Sequence, residues 1–170
     1  MIQLLFGLVL VLAGNSIGFA ADAPIAGCAG FSGYFSNIGR DDPQNNRGSH
    51  APPRFTWDVL PNEPPRSKIQ RIFIDATQVD AIEFKYFETN NSLVGTHVYP
   101  SSCVDGWQTF VFSITGSSEG YSGTEQITVR LMPDANDLLV HKVREVVGKF
   151  FFIFPHKSHA AFEYRFPFQK

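Results

Sequence analysis

From residue 69 to the C-terminus the chain is written in short β-rich runs separated by turn residues, with no segment that reads convincingly as a helix. In residues 81–88, Ile82, Phe84 and Tyr86 alternate with Glu83 and Lys85. In 125–132, Ile127, Val129 and Leu131 share one face. That period of two is the mark of a strand buried on one side only. Counting in the same way predicts nine strands: 55–60, 69–75, 81–88, 93–99, 109–114, 125–132, 138–143, 149–154 and 162–168. Residues 138–147 also carry apolar residues at helical spacings, but four of the ten are Val, which packs better on a pleated surface, so a strand is expected. Without crossover helices a parallel sheet is excluded. The fold expected is all-β, an antiparallel immunoglobulin-like sandwich, with a jacalin-like β-prism as the alternative.

The turns between these runs define smaller expectations. Asn90-Asn91-Ser92 reads as a turn and is an N-glycosylation acceptor in a eukaryotic secretory pathway. Asp134-Ala135-Asn136-Asp137 superficially resembles a calcium linker, but Leu138 and Leu139 follow at once, and a plain turn is the better reading. Residues 116–123 read as a flexible loop. The run Phe150, Phe151, Phe152 and Phe154 cannot all point inward from one half-buried strand. It must be covered on two faces, or dock a partner or the N-terminal arm.

The N-terminal third is different. Residues 1–20 carry no charged side chain, and the apolar stretch 4–13 is too short to cross a bilayer but suits a secretory signal cleaved after Ala20. Residues 21–66 are rich in Gly, Pro, Asn, Asp and Ser, and read as a loop-rich arm whose Phe31, Tyr34, Phe35, Phe55 and Trp57 dock on a β-domain at 67–170. The mature product of about 150 residues is one domain. No later stretch is long and apolar enough to span a membrane, so no membrane span is expected after leader removal. In the oxidising compartment such a leader implies, Cys28 and Cys103 can pair, which stabilises by about 4.5 kcal/mol in the loop-entropy model. Two separate buried thiols are the alternative.

Composition narrows the function. Hydrophobic residues make up 44% and charged ones 18%, with 17 Phe, which is the balance of a folded chain. With 14 basic against 16 acidic side chains, the chain lacks the positive excess that phosphate backbones require, so nucleic acid is not expected as a partner. Residues 141–170 are locally basic, with six Lys or Arg against two Glu.

No catalytic motif is recognisable: there is no Gly-x-Ser-x-Gly elbow, phosphate loop or His-Glu-x-x-His. His156 and His159, with His141 in an earlier strand, have a spacing that a metal ion can use, but no carboxylate lies beside them in sequence to orient the rings. No cofactor and no metal are expected. The aromatics Trp107, Tyr99 and Tyr121 fall near strand ends, where rings can stack on pyranose faces.

Two segments resemble the jacalin-related lectins: 67–87, SKIQRIFIDATQVDAIEFKYF, and 148–166, GKFFFIFPHKSHAAFEYRF. The resemblance implies a β-prism that binds sugar through a closing loop, here 155–160, with Gly30 and Gly33 partly matching a Gly-rich N-terminal segment. Where that family uses a Gly and an Asp, this chain has Pro155 and Ala160. The expectation is therefore a secreted, non-enzymatic module that binds carbohydrate through Trp107, Tyr99, Tyr121, His156, Lys157, Ser158 and His159. Its partner is a glycan or an extracellular protein. The alternative is a secreted protein-interaction, surface-assembly or effector protein, and an extracellular hydrolase is a third reading.

Overall fold

The computed structural model describes residues 28, 30–40, 51–60, 68–78, 80–118, 120–151 and 153–169. Residues 1–20, expected to be a leader, and Phe152 lie outside the described residues, as does most of the stretch from 21 to 29. The strands are β1 (Ser32–Ser36), β2 (Ile69–Asp75), β3 (Ala81–Glu88), β4 (Leu93–Val104), β5 (Trp107–Ser118), β6 (Tyr121–Asp134), β7 (Asp137–Phe150) and β8 (Phe154–Gln169). Each pairs antiparallel with its neighbour in sequence, and β8 returns to β1 to close a barrel.

The all-β, antiparallel class holds, but the strands close into one barrel where a two-layer sandwich was expected. The hairpins supply the reason. Val104 and Trp107 are paired across Asp105 and Gly106, whose φ angles of 51° and 83° are the left-handed pair of a two-residue turn. Asp134 and Asp137 pair in the same way across Ala135-Asn136, the plain turn expected there. Turns this tight hold β5 beside β4 and β7 beside β6, so these strands cannot switch layers, and the twisted meander of eight strands ends with β8 meeting β1. Ala135 sits at φ 52° with no glycine or asparagine to ease it. Ala135→Gly is expected to raise the unfolding free energy by about 0.5–1 kcal/mol, read by urea titration at unchanged slope.

The closing seam is short. Among the described residues only Tyr34↔Gln169 and Phe35↔Phe168 are paired across it, and the Phe168 ring lies where a side chain on Gly33 would stand. Beyond β1 the chain crosses the seam instead of extending it. Arg40 N donates to Arg165 O at 2.8 Å, and the Arg40 guanidinium binds the Asp137 carboxylate at 2.8–3.0 Å.

Residues 55–60 are not a strand but a single-turn π-helix, Phe55–Val59, pushed into the barrel as a plug. Phe55, Val59 and Leu60 are buried, and the Phe55 ring packs 5.8 Å from Phe84 and 5.0 Å from Phe166. The interior offers this segment no free strand edge. Its backbone is satisfied by a tight turn and by Asn37, a fully buried residue. Asn37 O and Oδ1 accept from Phe55 N at 2.9 Å and Thr56 N at 3.0 Å, while Nδ2 donates to Ile69 O. On the far wall Lys142 turns inward and donates from Nζ to Asp58 O at 2.7 Å. The segment 21–66 therefore supplies a wall strand and the core plug.

The expected disulfide is present. Cys28 and Cys103 are bonded with Cα atoms 5.9 Å apart, at the barrel end that carries the β4–β5 and β6–β7 turns. Such a bond belongs to an oxidising, extracellular-type environment.

Candidate functional site

The wall is not uniform in height. β4 pairs with β3 as far as Pro100 but with β5 only from Ser101 to Val104, so residues 111–118 of β5 pair with β6 alone. Tyr99 fills the divergence from inside, 4.8 Å from Phe110 and 5.6 Å from Phe112, with His97 stacked on it at 4.3 Å. Beyond this point β5 to β8 continue as a four-stranded sheet that overhangs the plug.

The inner face of that overhang follows from register. Residues 127, 125, 123 and 121 of β6 continue the inward-facing series of Ile127, Val129 and Leu131. The cross-strand pairs Gly123↔Gly148, Tyr121↔Phe150, Gly148↔His156 and Val146↔Ser158 carry that face onto β7 and β8. The result is an open hollow of about 490 Å³ lined by Ile114, Gly116, Tyr121, Gly123, Glu125, Arg144, Val146, Phe150, His156 and Ser158.

Three rings form one wall: Tyr121 lies 5.2 Å from Phe150, Phe150 lies 4.9 Å from His156, and Tyr121 lies 6.4 Å from His156. Gly123 and Gly148 make a floor on which the Tyr121 ring rests. A Cβ on Gly148 would stand 2.7 Å from the Tyr121 hydroxyl oxygen and 2.6 Å from Ser122 O. Tyr121 thus covers a glycine pair that would otherwise leave backbone bare.

Opposite the rings, Glu125 and Arg144 are diagonal cross-strand neighbours, close enough for long side chains to meet. Arg144 Nε lies 2.7 Å from Glu125 Oε1, and Nη2 donates to Oε2 at 2.8 Å. The hydrogen bond it donates to Glu125 holds the Arg144 guanidinium above its already high ordinary pKa, against the opposing cost of partial burial. The Arg144 side chain is 46% exposed, so the pair contributes little to folding. What it does provide is a fixed fork of N–H donors beside a carboxylate with lone pairs to spare.

Of the residues singled out in the sequence, the structure brings together Tyr121, His156 and Ser158. Lys157 and His159 alternate onto the other face of β8, where His159 Nδ1 lies 3.7 Å from Glu145. Residues 155–160 are strand, not the loop expected, and a strand puts His156 and His159 on opposite faces. Among the described residues no three His, Cys, Asp or Glu side chains gather as metal ligands. Trp107 stands at the opposite end, in the β4–β5 hairpin, and Tyr99 belongs to the core wall. Residues 116–123, expected to be a flexible loop, continue both strands to a tight turn at 118–121.

Sequence reasoning missed Glu125, Arg144 and Phe150 as site residues. A signal for the first two was present: each continues an inward-facing apolar alternation with a charge, Glu125 before Ile127 and Arg144 after Val140 and Lys142. No family model, characterised protein or solved structure matches this chain.

Proposed function

We propose that this chain is a secreted, non-enzymatic binding module whose hollow on the β5–β8 overhang takes a carbohydrate. The observation that carries the reading is the juxtaposition of the Tyr121–Phe150–His156 wall with the Glu125–Arg144 fork. A sugar ring has an apolar CH face that packs on an aromatic ring, and a rim of hydroxyls that both donate and accept. Glu125 accepts from such hydroxyls and Arg144 donates to them. A volume of about 490 Å³ suits a ligand of one or a few sugar rings. The ligand class is the one the jacalin resemblance implies, but the place is different, because 155–160 is strand. Export is supported by the leader sequence and by the Cys28–Cys103 bond. The non-enzymatic reading rests on the lack of a catalytic motif in the sequence.

A glycan array with the mature protein tests this, followed by titration of the best binder against Glu125→Gln and Arg144→Met. Each variant is expected to weaken binding by about tenfold to a hundredfold, the loss of charged hydrogen bonds, with little change in melting temperature. Silence across the array, or variants that bind as the parent does, overturns the proposal.

The second reading, a protein-interaction module, is favoured by the edge of β5 at 111–118. An extended segment of another protein can add to that edge as a further strand. Cross-linking that maps a partner to those residues, with no glycan competing, supports this reading over the first.

A further inference from the structure

The turns at the far end of the overhang expose apolar side chains that the fold does not use. Phe151, Ile153 and Phe154 are 71%, 70% and 59% exposed. Phe151 is also held at φ 48°, a left-handed conformation costly for a bulky residue, by a hydrogen bond from its N–H to Gly120 O. That bond ties the β7–β8 turn to the β5–β6 turn, so the two move as one tip. In the sequence of 116–124 and 146–158 the formally charged residues are Glu119, Lys149 and Lys157, a net +1; both lysines are exposed, and Glu119 lies outside the described residues.

We propose that this tip dips into an anionic lipid surface, with Phe151, Ile153 and Phe154 entering the boundary between headgroups and acyl chains and Lys149 and Lys157 meeting the headgroups. The apolar residues crown a projecting turn instead of lining a groove or flat face, a shape that suits a fluid surface better than a preformed protein pocket. The cations sit at the depth such insertion requires. Lys149 adjoins Phe150, and Lys157 lies three residues beyond Phe154, about 10 Å along the strand. Shallow insertion buries about 5–10 Å, so the ammonium groups reach the phosphates with their stems along the apolar boundary. Each cation near an anionic leaflet strengthens binding several-fold, and salt screens it.

The test is flotation of the mature protein with phosphatidylcholine vesicles, with and without a phosphatidylserine fraction. Binding is expected to the anionic vesicles and to weaken with salt. The double variant Phe151→Asn/Ile153→Ser should lose at least about tenfold in vesicle affinity. Its melting temperature should stay the same or rise, since Asn tolerates the left-handed backbone. Lys149→Glu with Lys157→Glu should abolish the preference for phosphatidylserine. Phe150 is left intact because it lines the hollow, so glycan binding by these variants reports separately on that site. No flotation of the parent protein, equal flotation of the double variant, or a tip-dependent dimer that ignores vesicles overturns the proposal.

Discussion

Phe55→Ala is expected to destabilise the barrel by about 3–5 kcal/mol, a large share of what a domain of this size has. Phe55 is fully buried and is the ring through which the plug meets both β3, at Phe84, and β8, at Phe166. Its neighbours belong to a closed wall and cannot collapse inward without breaking ladder pairs, so the cavity left by truncation stays open. The plug's other apolar anchors are the smaller Val59 and Leu60, with hydrogen bonds to Asn37 and from Lys142 fixing its backbone. Five residues of π-helix have no intrinsic stability, and Asn37 orients the segment without burying apolar area of its own. Urea unfolding with a single transition measures the loss. A cost near 1 kcal/mol would mean that Val59 and Leu60 alone seat the plug. Hydrogen exchange adds a second readout, because Leu60 N–H, which donates to Phe55 O at 3.0 Å, should lose protection along with the ring.

The behaviour of this segment shows where the sequence was readable. Strands β2 and β3 have the limits expected from alternation alone, because each buries one face continuously and is bounded by turn residues. In 55–60 the same aromatic and β-branched residues were present, but burial on the inside of a closed barrel overrode their preference for a pleated edge. β1 escaped notice for the opposite reason: Ser32–Ser36 is short, flanked by Gly30 and Gly39, and becomes a strand only because β2 and β8 present edges to it. The alternation of residues 162–168 was legible, yet β8 begins at Phe154, where Pro155, His156, Lys157 and Ser158 give no apolar period because their inner face looks into a hollow. Glu125 and Arg144 line the same hollow, and their only signal is a charge standing where an inward-facing alternation continues. Apolar periodicity reports a filled interior, and it falls silent where the interior is open.

Loss of the Cys28–Cys103 bond should be as costly and should act on a different part of the molecule. The bond closes a loop of 75 positions, for which the loop-entropy model gives about 4.5 kcal/mol as an upper guide. For a chain of this length that corresponds to a fall in melting temperature of roughly 9–18 °C. The loop contains β1, the plug, β2, β3 and most of β4, all the elements on one side of the seam. β5 to β8 lie outside it and are joined by long, fully paired hairpins. With Cys28→Ser and Cys103→Ser, the short seam between β1 and β8 becomes the weakest link, since the covalent tie from the N-terminal side of β1 to β4 is gone. Amides of β1 and the plug should exchange first, while those of β6 and β7 keep protection close to the global limit. Because the Glu125–Arg144 fork and the rings beside it stand wholly on β5 to β8, ligand binding should outlast the loosening of the seam under mild reduction. If binding is instead lost in step with β1 protection, the overhang depends on barrel closure, and the hollow cannot be treated as a site carried by four strands alone.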